Sequence, residues 1–339
     1  MPPPHRPAPP PSRADEWYSP PPSPPGAPAG QAGKMNDTPH SPSARPPSAE
    51  VAVLGTGRMG GAIVRALLSA GHTTAAWNRS PGRVDPLVSA GAIRAETAAT
   101  AAAAAPLVIL CVTDDAAARG VIAEAGGAVA GRTLVNVTSH SPDEARRAAA
   151  YAGERGADYL AAPAMADHRM IGSPETQFLY AGPRAAYERH EPTLLALGKA
   201  SRYVGADPGV APLFEAAMNS LYFEFWVGYL HALALVRAEG VPASDFAPVV
   251  SRTMGQIPPL MPLIAQQADT GDYDPAAYGS VTELAAMTRP LIALRRSRGI
   301  DTSRLDHLMS LLERRAADGQ GAQGPTSLLE TIESRRTAP

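Results

Sequence analysis

A glycine-rich run, Gly55-Thr56-Gly57-Arg58-Met59-Gly60, is the first place in the chain where residue types and spacing indicate chemistry. In the pattern G-x-G-x-x-G, Gly55 permits a tight turn, Gly57 lets the backbone approach a pyrophosphate, and Gly60 lets a helix pack on a strand. The amides at the start of the following helix, with their partial positive charge, suit phosphate groups. We therefore predict a dinucleotide site here rather than an ordinary glycine-rich turn.

The cofactor is predicted by the residues some twenty positions further on. An NAD site usually carries Asp or Glu at the end of the second strand, where it holds the ribose 2′-hydroxyl. This chain has Asn78-Arg79-Ser80 there, with Arg83 close by. A guanidinium and a hydroxyl bind a 2′-phosphate that a carboxylate would repel. The residues favour NADP over NAD, the alternative being that Arg79 and Arg83 are solvated surface charges.

Two later apolar runs, 107–112 and 132–137, are typical of buried parallel strands. Ligands of open α/β sheets bind at the carboxyl ends of the strands. We therefore expect Val112, Thr113, Asp114 and Ser139 beside the cofactor. Cys111 is expected to fill core space rather than to act as a nucleophile.

Acid chemistry is predicted on a long helix from 213 to 238, which Gly240 ends. Its apolar positions nearly encircle it, which predicts burial on most sides. Glu215 and Asn219 are four residues apart and share a face. A carboxyl group in an apolar cleft suits a proton donor, although a solvated Glu at a helix start is the alternative. Tyr222 is a further candidate for the pocket.

The elements that position these residues form two domains. Strands and helices alternate through the first half, which predicts an α/β Rossmann domain over 50–207. Stretches 244–269, 276–298 and 301–316 also have helical patterns, so an all-helical domain is expected over 208–318, joined to the first by the long interdomain helix. A flexible tail is expected over 319–339.

Composition limits the other classes of function. Residues 1–49 carry 17 of the 36 prolines, which predicts a disordered segment and makes Met35 an alternative start. The net charge of −2 argues against nucleic acid or an anionic membrane as partner. The single cysteine excludes an intramolecular disulfide and a multi-cysteine metal cluster. A soluble cytoplasmic protein with no metal site is expected.

The chain resembles the β-hydroxyacid and 6-phosphogluconate dehydrogenase superfamily, and within it the imine reductases and reductive aminases. The superfamily residues are 51–60, Gly71-His72 and 77–80. The more specific imine-reductase segments are Met165-Ala166, 170–172, 180–182, 211–215, 228–234 and 265–273. The resemblance covers essentially 50–318.

Two departures from the superfamily pattern argue against a hydroxyacid substrate. Its hydroxyacid dehydrogenases use a lysine four residues before the helix asparagine, and here Asn219 is preceded by Glu215 at that position. They also carry a Ser-Gly-Gly motif where this chain has Ala164-Met165-Ala166-Asp167 after Pro163. Imine reductases typically have an aspartate at the Glu215 position, and often a tyrosine near Phe223.

The resemblance implies hydride transfer from NADPH to the carbon of a C=N bond, with Glu215 as the acid or as the anion that stabilises an iminium. It also implies a domain-swapped homodimer, in which residues 276–290, with Met287, complete the partner's pocket for a small-molecule imine or carbonyl substrate. The alternatives are an NADP-dependent reductase of a carbonyl substrate, similar to the hydroxyacid dehydrogenases, and a non-catalytic NADPH-binding protein.

Overall fold

The computed structural model describes residues 48–333. The predicted disorder of the N-terminal segment therefore lies almost wholly outside the described residues. The first half of this part of the chain is one eight-stranded sheet in the order β3-β2-β1-β4-β5-β6-β7-β8. The strands are β1 Val51–Leu54, β2 Thr74–Trp77, β3 Ile93–Arg94, β4 Leu107–Leu110, β5 Thr133–Asn136, β6 Asp158–Ala161, β7 Leu179–Ala181 and β8 Arg202–Gly205.

Pairing in this sheet is parallel throughout except between β6 and β7. Six helices connect its strands: α1 Arg58–Ser69, α2 Asp85–Val88, α3 Ala98–Ala104, α4 Asp115–Ala125, α5 Pro142–Gly153 and α6 Arg184–Leu195. The fully apolar strands β1 and β4 and the helices between the strands explain why the sequence predicts this alternating pattern. The predicted Rossmann fold is confirmed.

Side chains of the central strands alternate between two cores, because successive residues of a strand point to opposite faces. Val51 and Val53 join the core under α1, and Ala52 and Leu54 join the other. Alanines of α3 and α5 line this second core, so these helices approach the sheet closely. The two cores pack on opposite faces of the sheet, and the glycine-rich turn lies at its carboxyl edge.

The second half is helical: α7 Val210–Ala238, α8 Ala243–Met254, α9 Met261–Thr270, α10 Val281–Ser297, α11 Ser303–Arg315 and α12 Leu328–Glu333. The single helix predicted over 244–269 is wrong. It is interrupted between Met254 and Met261, where Pro258 and Pro259 supply no backbone N–H for α-helical hydrogen bonds. None of the helices in the described range is long and apolar enough to span a membrane.

The expected flexible tail from residue 319 is instead folded as far as the described residues extend. Leu328 is buried in a small core with residues of α10 and α11. The Tyr273 hydroxyl donates a hydrogen bond of 2.5 Å to Glu330, and the Gly324 amide donates to the Tyr273 carbonyl. These contacts anchor α12 to the segment that follows α9.

Helix α7 corrects the prediction of burial on most sides. Only Ala211, Pro212 and Glu215 of its 29 residues are buried. The large apolar side chains that follow are between about a third and two thirds exposed: Leu213, Phe214, Met218, Leu221, Tyr222, Phe223, Phe225, Trp226, Val227 and Leu230. An apolar surface all round a helix predicts that it is covered, but residues 48–333 leave most of this helix exposed.

Candidate active site

The glycine-rich turn has the geometry that its spacing predicts. Gly55 has φ +99°, and a Cβ there would lie 2.1 Å from the Cys111 carbonyl oxygen. A Cβ on Gly60 would lie 1.9 Å from the Gly55 carbonyl oxygen. The turn and the helix-to-strand contact therefore both require glycine. Gly57 differs, because the nearest atom to a Cβ there is Nη1 of Arg83 at 4.0 Å, so its backbone faces open space.

That open space is a cavity of about 900 Å³ along the carboxyl edge of the sheet. Its volume lies in the range of small-molecule and cofactor sites. Most of the predicted cofactor residues line it: Gly55, Gly57, Arg58, Met59, Gly60, Asn78, Arg79, Ser80, Arg83, Val112 and Thr113. The first turn of α1 opens into it without a side-chain cap, so backbone amides are left for a ligand.

Asn78 fixes the glycine-rich turn to the end of β2. Its Oδ1 accepts a hydrogen bond of 3.0 Å from the Thr56 amide, and its Nδ2 donates one of 3.1 Å to the Ser80 carbonyl. Thr56 itself is buried and does not line the cavity. The sequence predicts both residues at the cofactor; Asn78 lines the cavity, and its hydrogen bond with Thr56 orders the turn.

The arginine end of the cavity is strongly cationic. Arg58, Arg79 and Arg83 line it and are exposed, and none of them is paired with a carboxylate of residues 48–333. The guanidinium groups are therefore free to take an anionic ligand such as a phosphate.

Asp114 and Ser139 are predicted to contact the cofactor, but neither residue lines the cavity. Asp114 does not line the cavity, and its Oδ1 accepts a hydrogen bond of 2.8 Å from the Ala117 amide as the N-cap of α4. Ser139 also lies outside the cavity lining. Cys111 does line it, but burial raises the pKa of its thiol to about 12, so it is not a thiolate at neutral pH.

Sequence reasoning missed part of the wall. One face of α4 lines the cavity with Ala116, Ala117, Gly120, Val121 and Glu124. Trp77 and the loop residues Ala166, Asp167 and His168 complete it. The helical spacing of the α4 residues was visible in the sequence, but nothing in it indicated which face of that helix meets a ligand.

Ser139 and Glu215 meet at the junction of the two domains. The Ser139 hydroxyl, just beyond β5, donates a hydrogen bond of 2.6 Å to Glu215 Oε1 on α7. Glu215 is 9 % exposed. Its Oε2 has no hydrogen-bond partner among residues 48–333 and is not sealed from solvent. The structure thus brings together two predicted site residues that are 76 positions apart.

The loop that carries Ser139 is held by buried hydrogen bonds. The Thr138 amide donates to Asn136 Oδ1 at 3.0 Å, and Asn136 Nδ2 donates to the Tyr159 hydroxyl at 3.0 Å. The Thr138 hydroxyl accepts from the Val112 amide at 3.2 Å. Burial raises the pKa of Tyr159, so its hydroxyl stays neutral. These contacts limit where Ser139 can lie.

The other two predicted catalytic residues lie beyond the buried part of α7. Asn219 is exposed one turn after Glu215. Tyr222 is 52 % exposed, and its ring packs edge-on against Phe223 and Trp226 with centroids 5.9 and 5.5 Å apart. Residues 48–333 leave this aromatic group open and do not enclose a substrate around it.

Comparison with known proteins agrees with both halves of the structure. Residues 50–205 match the model for the NAD binding domain of 6-phosphogluconate dehydrogenase, and residues 207–334 match that for the NADPH-dependent reductive aminase-like C-terminal domain. A reductive aminase from Aspergillus terreus, solved with NADPH and ethyl-5-oxohexanoate, is 34 % identical at a TM-score of 0.77. The match covers 84 % of this chain and 99 % of that one. The chain belongs to the reductive aminase and imine reductase family.

Other family members match over the same extent. An imine reductase from Streptomyces aurantiacus is 33 % identical at a TM-score of 0.76, covering 84 % of this chain and 99 % of that one. An NADPH-dependent reductive aminase from Aspergillus oryzae is 28 % identical over 286 residues, which are 84 % of this chain and 97 % of the relative. The predictions of the family, of the two-part fold and of an oxidoreductase enzyme are confirmed. The predicted cofactor, NADPH, is the one named for these reductive aminases.

Proposed function

We propose that this reductive aminase family member is an NADPH-dependent imine reductase. Glu215, oriented by Ser139, either stabilises the positive charge on the substrate nitrogen or donates a proton to it. The observation that carries the proposal is the 2.6 Å hydrogen bond between Ser139 and the buried Glu215 at the domain junction. An ionisable acid held at this place suits an imine, whose nitrogen must gain a proton when its carbon gains hydride.

The cavity fits the cofactor by its shape and its charge. The turn at Gly55–Gly60 leaves open space over the Gly57 backbone in which a pyrophosphate fits, and the amides of α1 face it. Arg79, Arg83 and Ser80 would hold the 2′-phosphate. When bound, NADPH supplies the hydride for the substrate carbon. Every other contribution to the reaction comes from the protein.

Glu215 contributes through the oxygen that the protein leaves unpaired. Because Ser139 occupies Oε1, Oε2 is the atom available to a substrate nitrogen. A carboxylate there stabilises a protonated iminium, and a carboxylic acid there transfers its proton to the nitrogen as the carbon accepts hydride. In either case the products are the amine and oxidised cofactor.

A second copy of the chain is proposed to complete the substrate chamber. Residues 48–333 leave the large apolar side chains of α7 exposed, and Met287 of α10 is 67 % exposed. Exposed apolar side chains in such number are typical of a protein–protein interface. Light scattering should give the mass of a homodimer, and Leu221→Arg, on the exposed face of α7, should give monomers. A monomer of the unmodified protein would refute this part. The cytoplasmic location stays a prediction.

The test of function follows the absorbance of NADPH with a cyclic imine, with ketones alone, and with ketone–amine mixtures. Imine turnover is expected, with a loss of about a hundredfold or more in Glu215→Ala. Glu188→Gln, an exposed carboxyl on α6, is the matched control and should retain full activity. Unchanged turnover in Glu215→Ala would remove Glu215 from this role.

The outcomes also separate the alternatives. Reduction of ketones without amine, and none of imines, would point to the carbonyl reductase. NADPH binding without turnover on any substrate would point to the non-catalytic protein. Faster use of NADH than NADPH would contradict the role of Arg79 and Arg83.

A further inference from the structure

Arg146 joins α5 to the start of α7 through all three nitrogens of its guanidinium group. Nε and Nη2 donate hydrogen bonds of 3.0 and 2.7 Å to the two carboxylate oxygens of Asp207. Nη1 donates one of 2.7 Å to Asp143 on α5. Asp207 Oδ1 also accepts a hydrogen bond of 2.9 Å from the amide of Gly209, the residue before α7 begins. A single exposed ion pair contributes little, but a forked pair fixes orientation as well as distance.

Gly209 shows that this guanidinium group is part of how α7 begins. Its φ of −72° and ψ of −17° are open to any residue, so the backbone does not require glycine. A Cβ there would lie 2.7, 2.8 and 2.9 Å from Nη2, Cζ and Nε of Arg146. These nearly equal distances mean that the flat face of the guanidinium group lies against Gly209. Glycine is the residue that leaves room for this contact.

The stretch of chain that carries Arg146 also holds Ser139. Ser139 lies two residues before Ser141, the N-cap of α5. The Ser141 amide donates to Glu144 Oε2 at 2.7 Å, and the Ser141 hydroxyl accepts from the Glu144 amide at 3.3 Å. This capping box ties the loop to the helix, so Ser139 and Arg146 move as one unit. The unit meets α7 at its start, through Arg146, and again at Glu215, through Ser139.

The contact at Glu215 is sensitive to the contact at the start of the helix. Glu215 is five residues beyond Val210, where α7 begins. At the rise of an α-helix this is about 8 Å along the axis, so a tilt of about 10° at the start would move Glu215 by about 1.3 Å. The hydrogen bond from Ser139 is 2.6 Å long, and a displacement of that size away from Ser139 exceeds hydrogen-bond range.

We propose that Arg146 is a positioning residue for Glu215. It fixes the direction in which α7 leaves the sheet, and thereby keeps Glu215 within hydrogen-bond distance of Ser139. The proposal rests on the proposed function only for its effect on turnover, because the placement of Glu215 is a property of the folded chain. Arg146 does not line the cofactor cavity, so its loss should leave NADPH binding unchanged.

Urea unfolding of Ser139→Ala, Arg146→Ala and the double variant, at one protein concentration, tests the placement without a substrate. Within residues 48–333, Ser139 and Arg146 bond to different partners, so their effects should be independent unless α7 connects them. In the unmodified background Ser139→Ala should raise the equilibrium constant for unfolding roughly tenfold. In the Arg146→Ala background it should raise it less than about twofold, because the bond to Glu215 is already lost.

Imine turnover gives the second readout. Arg146→Ala should lower kcat roughly tenfold, while the dissociation constant of NADPH stays within about twofold of the unmodified value. The double variant should lose no more than about twofold beyond Ser139→Ala alone. Gly209→Ala keeps every charge but displaces the guanidinium group, and it should reproduce the loss. Arg189→Ala is the matched control, since it removes an ion pair of similar exposure, between α6 and the first residue of β6, and it should keep full turnover.

The outcomes separate this proposal from the proposed function. Coupling in the unfolding experiment, without imine turnover by the unmodified protein, would support the placement of Glu215 by Arg146 and refute the imine reductase. Equal effects of Ser139→Ala on unfolding in both backgrounds, or losses of turnover that multiply in the double variant, would overturn the role of Arg146 and leave the proposed function standing. Full activity of Gly209→Ala would likewise overturn it.

Discussion

Gly60 and Gly61 are neighbours in the first turn of α1, and their replacement by alanine should have opposite effects. A Cβ on Gly60 would lie 1.9 Å from the Gly55 carbonyl oxygen, whereas the nearest atom to a Cβ on Gly61 is 3.8 Å away, in the flexible side chain of Arg65. Both glycines are buried, so burial alone does not distinguish them. The difference lies in which atom each new methyl group would meet.

The expected losses of stability and of NADPH affinity follow from these distances. To restore ordinary van der Waals contact in Gly60→Ala, α1 and the turn must separate by about 1.5 Å. Overpacking of this kind costs about 3 kcal/mol. The same shift would move the α1 amides out of hydrogen-bond reach of the phosphates, so NADPH should bind at least roughly tenfold more weakly. In Gly61→Ala the free energy of unfolding should instead rise by up to about 1 kcal/mol.

Urea unfolding and NADPH titration of the two variants, side by side with the unmodified protein, measure both quantities. A Gly60→Ala protein that is as stable as Gly61→Ala and binds NADPH equally well would contradict both expected effects. A Gly60→Ala protein that is unstable but retains normal affinity would refute the second step alone, since α1 would then have moved without moving the phosphate site.

Three further outcomes are expected. Ser139→Ala should lower kcat/KM on an imine by roughly tenfold or more, because Glu215 loses its hydrogen-bond donor. Ser139→Thr keeps a hydroxyl and should retain most activity. Equal kcat/KM in Ser139→Ala and the unmodified protein would contradict the positioning role of Ser139. The hydrogen bond from Arg146 lowers the pKa of Asp207 from 3.8, so this pair stabilises the fold fully above that pH and progressively less as the pH falls through the lower folded value. Urea unfolding should therefore show a smaller difference between Asp207→Asn and the unmodified protein at pH 3 than at pH 7, and a constant difference would argue against it. Alkylation of Cys111 at pH 8 should follow unfolding, because its thiol pKa is raised to about 12, and prompt labelling of the folded protein would contradict this.

The glycine-rich turn was predictable because its constraints are local. Gly55 and Gly60 are five residues apart, and the oxygen that excludes a side chain at Gly60 belongs to Gly55 itself. The pairing of Ser139 with Glu215 was not predictable in the same way. Each residue was a candidate on its own, but their contact depends on how α7 leaves the sheet, which no spacing in the sequence expresses.

Helix α7 shows a different limit. Its apolar residues predict burial on most sides, but hydropathy does not say what would cover the helix, and residues 48–333 leave most of it exposed. The single helix predicted over 244–269 failed for a simpler reason, since Pro258 and Pro259 are visible breakers within an otherwise helical pattern.

Asn78 holds two parts of the cofactor site with one side-chain amide, and this limits how the choice of cofactor can change in evolution. An Asp there, the usual residue of NAD-binding relatives of this fold, still accepts the Thr56 amide. It loses the donor to the Ser80 carbonyl and sets two oxygens against each other. A change of electron donor by this single substitution therefore also loosens the segment after β2 that carries Arg79 and Ser80. Lineages that move from one nicotinamide cofactor to the other must remodel residues 79–81 at the same step, or pass through a less stable intermediate.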